Sequence, residues 1–280
     1  MLIGVVGLGL IGGSMAKAIN QNTDYSVYGR DIVDSISKKA ILVGATEGEL
    51  TDEMIPECDM IFLGLYPEDT IAFIEEYADK FKKECIVLDT CGIKQLVVEK
   101  VAPLAEQYGF TFIGTHPMAG VEHKGFEYSK KALFNGASLI LVPLTGTKIE
   151  KVDQVIHLAK QIGFVMTPIV EPEEHDRIIA YTSQLAHVVS SAYVMSPTAT
   201  SHYGFSAGSY RDMTRVAKLN EYMWTELFLE NPDYLANEID GLIERLQEFS
   251  KVIKGGDEKK LFDLLKVGRE RKLEIDQEIF

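Results

Sequence analysis

The chain opens on Leu2-Ile3-Gly4-Val5-Val6-Gly7-Leu8-Gly9-Leu10-Ile11-Gly12-Gly13-Ser14, and this stretch decides the fold. Residues 2–6 form a continuous apolar run, the pattern of a strand buried on both faces. From Ser14 to Ile19 the chain reads as a helix. The glycines between them sit at a telling spacing. Gly7 permits a tight turn, Gly9 lets the backbone approach a pyrophosphate, and Gly12 allows the helix to pack closely on the strand. The helix N-terminus adds a partial positive charge. Strand, turn and helix together predict a dinucleotide site lined by Gly7, Leu8, Gly9, Leu10, Ile11 and Gly12. Asp31 falls at the expected end of the second strand. A carboxylate there accepts a hydrogen bond from a ribose 2′-hydroxyl and repels a 2′-phosphate, which favours NAD. Arg30 beside it suits that phosphate, so NADP stays open as the alternative.

Working outward, short β-rich runs alternate with helix-period stretches, the signature of βαβ units. Strands are expected at residues 25–28, 60–63, 86–88, 110–113, 139–142 and 164–167, with a helix at 152–162 whose apolar positions fall three and four apart. After residue 168 no strand pattern follows. Pro172 and the acids after it make a good first helical turn. The stretch 185–195 is apolar almost all round, which predicts burial on every side, here against a second subunit. A long amphipathic helix follows at 235–253, closed by Gly255-Gly256, and a last one at 261–273. The expected architecture is α/β: a Rossmann-type doubly wound parallel sheet over residues 1–168, then an all-helical dimerisation and substrate domain over 169–280.

The 280 residues are 46% apolar and 25% charged, globular proportions that exclude a disordered or fibrous chain. No run approaches the ~18 apolar residues of a membrane span, and the N-terminus lacks the basic region of a signal peptide. The net charge of −14 makes nucleic acid and anionic membranes poor partners. Cys58, Cys85 and Cys91, an odd and scattered set, fit a reducing cytoplasm and neither a disulfide framework nor a metal site.

Further candidates lie at predicted strand ends. Leu65-Tyr66-Pro67 follows the strand 60–63, where the nicotinamide end of a dinucleotide would lie; the alternative is an ordinary turn with Pro67 opening a helix. Thr115-His116-Pro117-Met118-Ala119-Gly120 follows the strand 110–113. A histidine at the carboxyl end of a parallel strand faces the ligand crevice, and with an ordinary pKa near ~6.5 its neutral ring serves as a base. Glu122 and His123 come just after it and either orient it or compete with it. In the helical half, Ser183 and His187 share a helix face, and Arg211 and Arg215 form either a guanidinium cradle for carboxylates or a solvated face paired with Asp212.

Taken together, residues 7–14, Gly114 to Gly120, Ser183 to His187, and Asp212-Met213-Thr214-Arg215 followed by Met223-Trp224 resemble the prephenate/arogenate dehydrogenase family of tyrosine biosynthesis, in order and over nearly the whole chain. The resemblance implies a Rossmann domain joined to a helical dimerisation domain, NAD as cofactor, and oxidative decarboxylation of prephenate, or of arogenate, in a homodimer. It implies that His116 takes the proton of the substrate 4-hydroxyl, and that Arg215 binds a substrate carboxylate with His187 and Ser183 nearby. Glu122 and Asp212 would belong to the surrounding polar network, and Trp224 would reach toward the partner's site.

One departure stands out. The family pattern Asp-x-x-Ser-x-Lys reads here as Asp89-Thr90-Cys91-Gly92-Ile93-Lys94, so the serine expected beside nicotinamide and substrate is Gly92. Thr90, Cys91 or water is left to take its place. From the chain length, no fused regulatory module is expected. Two other readings compete. A β-hydroxyacid-type dehydrogenase needs a lysine on the interdomain helix, and residues 176–195 contain none. A catalytically silent dinucleotide-binding regulator would have no use for His116 and Arg215.

Overall fold

The computed structural model describes residues 1–121 and 123–278. Its elements run β1 (Leu2–Val6), α1 (Leu10–Asn22), β2 (Ser26–Arg30), α2 (Asp34–Leu42), β3 (Gly48–Glu49), β4 (Met60–Leu63), α3 (Pro67–Tyr77), β5 (Ile86–Asp89), α4 (Gln95–Tyr108), β6 (Thr111–Pro117), β7 (Leu139–Pro143) and α5 (Ile149–Gln161). Helices follow: α6 (Pro172–Ile179), a π turn (Ala180–Gln184), α7 (Leu185–Val194), α8 (Gly208–Thr214), α9 (Glu221–Leu229), α10 (Pro232–Gly255) and α11 (Glu258–Glu278).

The strands form one sheet in the order β3-β2-β1-β4-β5-β6-β7. All neighbours pair in parallel except β6 and β7. Strand alternation sends Ile3, Val5, Met60 and Phe62 into a core with α1 and α5, and Val6, Ile61, Leu63 and Val87 into a second core with α3 and α4. With both faces covered, the strands have no polar side to show, which is why they read as unbroken apolar runs. The doubly wound arrangement brings the carboxyl ends of β1, β4, β5 and β6 to one edge of the sheet, where ligands of such folds bind.

Three expectations need correction. The sheet is not wholly parallel, because β7 returns antiparallel to β6, with His116 opposite Ile140. That pairing carries β6 through Pro117, so His116 lies inside a strand rather than in the loop after it. Residues 164–167 form no strand but only isolated bridges beside β7, Ser138 with Met166 and Leu141 with Ile169. Pro168 lies between these bridges and has no N–H to continue a ladder.

Chain compactness divides the protein into Met1–Asn231 and Pro232–Phe280. Within the first unit α6 docks on the start of α4, and Leu227, Met223 and Trp224 of α9 pack against the α3/α4 core. The apolar stretch of α7 is not buried all round in the single chain. Only Leu185 and Ser190 are buried in α7, while Tyr193 within it and Met195 just past its end stand exposed. In the second unit α10 and α11 are joined by the Lys260–Glu248 ion pair at 3.1 Å. No helix among the described residues is long and apolar enough to cross a membrane.

Candidate active site

The glycine turn is built by close approach. Gly7 adopts φ +80°, and its N–H donates to the Arg30 carbonyl at 2.9 Å. A Cβ on Gly12 would sit 1.9 Å from the Gly7 carbonyl oxygen, whereas one on Gly9 would meet nothing within 4 Å. The loop is therefore packed tightly behind and open in front. Gly9 caps α1 without any side-chain hydrogen bond, which leaves the first-turn N–H groups for an anion. Such a cradle fits a dinucleotide pyrophosphate. Gly64, at the end of β4, closes its back; a Cβ there would meet the Gly7 oxygen at 2.7 Å. Sequence reasoning passed over Gly64.

Asp31 is held in place by backbone groups. It accepts the N–H of Leu8 and of Val33, both at 2.9 Å, and keeps lone pairs for a hydroxyl. Arg30 is engaged elsewhere. Its guanidinium pairs with Asp52 at 2.6 Å and lies over the rings of Phe73 and Tyr77. Pro67 opens α3 as its first residue, with Leu65 half-buried and Tyr66 exposed before it. The Thr90 hydroxyl donates to the Leu63 carbonyl at 3.1 Å. Cys91 is buried, 3.4 Å from the Thr70 hydroxyl, and burial raises its thiol far above the ordinary range, so it is no nucleophile. Gly92 faces Leu227, whose methyls would lie 3.3 and 3.4 Å from an added Cβ.

At the end of β6 stands a polar network that the sequence did not disclose. His116 Nδ1 lies 2.9 Å from His175 Nε2, and His175 Nδ1 lies 2.6 Å from Asp176 Oδ1. Asp176 accepts the N–H groups of Lys94 and Gln95 at 2.7 and 2.8 Å, at the start of α4. Lys94 pairs in turn with Asp89, both fully buried, and Asp89 accepts the Thr115 N–H at 2.9 Å. Burial, then His175, then the Lys94 charge hold the His116 imidazole well below the usual histidine range. Burial also lowers His175, against the pull of Asp176. His116 is therefore neutral at pH 7, with part of the residue still open to solvent.

A second cluster forms in the helices. The His187 Nδ1–H donates to the Val216 carbonyl at 3.0 Å, and the ring rests on Trp224 with centroids 3.8 Å apart. Burial lowers the His187 pKa, and the nearby Arg215 charge lowers it further. Ser183 sits in the π turn one helical turn before His187, a distortion that often marks functional sites. Arg211 and Asp212 stand exposed on α8, and Arg215 opens the 3₁₀ turn after it. Trp224 also packs on Phe228 of its own chain. His123 stacks on Tyr128, and Glu122 lies outside the described residues. Among the described residues no group of acids, histidines and cysteines is placed to hold a metal.

Known proteins share this pattern along its length. The family model described as "Prephenate dehydrogenase, nucleotide-binding domain" matches residues 15–167, and "Prephenate dehydrogenase, dimerization domain" matches 171–267. A prephenate dehydrogenase of Bacillus subtilis is 29% identical over 278 residues, covering 95% of this chain and 74% of that protein. A cyclohexadienyl dehydrogenase of Zymomonas mobilis is 26% identical over 282 residues, covering 98% and 95%. Among solved structures, prephenate dehydrogenase from A. aeolicus in complex with hydroxyphenyl propionate and NAD+ superposes with a TM-score of 0.86, at 27% identity and 98% coverage of both chains.

Proposed function

Because the chain belongs to the prephenate dehydrogenase family, we propose that it converts prephenate to 4-hydroxyphenylpyruvate with loss of carbon dioxide. Bound NAD⁺ supplies the acceptor for the hydride that leaves ring carbon C4. The protein's own task is narrower: hold the ring, accept one proton and anchor the carboxylates. His116 takes the 4-hydroxyl proton as the hydride leaves. The bond to the ring carboxylate then breaks, its electron pair makes the ring aromatic, and the proton returns to the phenolate oxygen. Aromatisation and release of carbon dioxide drive the reaction, so one base suffices.

The observation that carries this reading is the neutral His116 at the carboxyl edge of the sheet that also bears the glycine cradle. Gly7 to Gly12 hold the pyrophosphate, Asp31 the ribose, and Leu65 to Pro67 with Thr90 the nicotinamide end. With Arg30 paired to Asp52, the site favours NAD over NADP. Arg215 binds a substrate carboxylate, with His187, Ser183 and Trp224 around it; the family resemblance adds Glu122 and Asp212 as supporting polar groups. These roles follow the family resemblance residue by residue. The substrate domain is drawn at 169–280 after the dinucleotide domain 1–168, and two chains pair through it, covering the apolar surface left by Tyr193 and Met195. Three free, buried cysteines suit the cytoplasm.

The cyclohexadienyl relative supports arogenate as the second substrate to test. Side-by-side kinetics with prephenate and arogenate, each with NAD⁺ and NADP⁺, decide the matter. The highest kcat/KM is expected for prephenate with NAD⁺. A preference for arogenate would reassign the enzyme, and dinucleotide binding without turnover of either would make it a regulator.

A further inference from the structure

We propose that His175 and Asp176 are positioning residues that fix the tautomer of His116, leaving its Nε2 as the nitrogen that receives the substrate proton. The proposal deepens the reading of His116 as the base and rests on it.

The argument follows protons one at a time. Asp176 receives the backbone N–H of Lys94 on Oδ1 and that of Gln95 on Oδ2, at the positive end of α4. A carboxylate held this way is an acceptor only. His175 Nδ1, 2.6 Å from Oδ1, must therefore carry a hydrogen and donate it. A neutral imidazole protonated on Nδ1 has a bare Nε2. That nitrogen, 2.9 Å from His116 Nδ1, can only accept, so His116 also holds its hydrogen on Nδ1. Its Nε2 is then the lone-pair nitrogen.

The surroundings keep both rings neutral. Burial, and after it the Lys94 charge, disfavours a proton on either ring, while Asp176 and Asp89 draw one toward His175, the better-paired of the two. When His116 takes the 4-hydroxyl proton on Nε2, its Nδ1–H still meets the His175 lone pair. No partner has to turn during the step. The opposite tautomer would place N–H against the substrate hydroxyl and leave no base there.

The test reads the tautomer directly in the full-length protein with ¹⁵N-labelled histidine. Of the signals from the six histidines, the one lost in His116→Asn is the one that matters. Lone-pair character is expected at His116 Nε2 and at His175 Nε2. A hydrogen on His116 Nε2 would overturn the proposal, whether or not the enzyme turns prephenate over, so its failure is distinct from failure of the proposed activity. Two variants add kinetics. His175→Leu removes the acceptor and should lower kcat on the order of 10²-fold, while KM for NAD⁺ holds. His175→Gln can present an amide oxygen in the same place and should recover kcat to within roughly tenfold of the native enzyme. Native kcat in the Leu variant, or equal losses in both, would also count against the relay. The NMR measurement on the unaltered protein decides even if His175→Leu does not fold.

Discussion

A single imidazole held without its charge sets the chemistry at the residue scale. The neutral form of His116 is the active one, and its pKa lies well below the ordinary value. Turnover of prephenate should therefore stay level as pH falls through 6.5 and decline only further into acid, read as kcat/KM against pH. His116→Asn should lower kcat by roughly 10²- to 10⁴-fold while a dinucleotide titration shows unchanged affinity. Arg215→Ala should act on KM instead, by about 2–3 kcal/mol for a lost charge-assisted carboxylate pair. If KM for prephenate stayed put in that variant, Arg211 would be the anchor to examine next. His116 was legible in the sequence because a histidine at the carboxyl end of a strand, flanked by Pro117 and two glycines, has a structural meaning of its own, although β6 proved to run through it. His175 was not. Its partner lies 59 residues away, and only the docking of α6 on α4 makes them neighbours.

Elements tell a similar story about what local pattern carries. The glycine turn was readable from Gly7 to Gly12, where Gly7 and Gly12 answer local steric demands, but Gly64 behind it comes from a distant strand and was not. Gly12→Ala tests the tightest of these. Its Cβ would stand 1.9 Å from the Gly7 oxygen, a backbone atom with nowhere to go. Overpacking of this kind should cost about 1–3 kcal/mol in urea unfolding, together with a loss of dinucleotide affinity. The direction of β7 was not readable. Leu139–Pro143 has the same apolar composition whether it runs with β6 or against it, and the choice depends on the connection through residues 118–138. The exchange of the family serine for Gly92 acquires a neighbour in the structure, for Leu227 of α9 fills the space beside it. Thr90 and Cys91, the two candidates to replace that serine, already have partners in Leu63 and Thr70.

Over the whole molecule, the acid surplus leaves one visible cost. Both carboxylate oxygens of Glu230 are sealed from solvent without a hydrogen-bond partner among the described residues. Burial first, then Glu226, Glu68 and Asp176, push this carboxyl from 4.5 up to about 7. Between those values the native state holds a proton that the unfolded chain has released. Stability from this group is therefore lost as pH rises toward 7, and the penalty is complete above it. Glu230→Gln should raise Tm at pH 8 and leave it unchanged at pH 4, as differential scanning calorimetry would show. The three buried thiols carry a different consequence. Each has its pKa raised by burial, Cys58 to about 12, so an alkylating reagent meets neither access nor thiolate in the native state. Iodoacetamide uptake would then keep time with the opening of the cores that hold them, and a dinucleotide that grips the closed sheet should slow that clock.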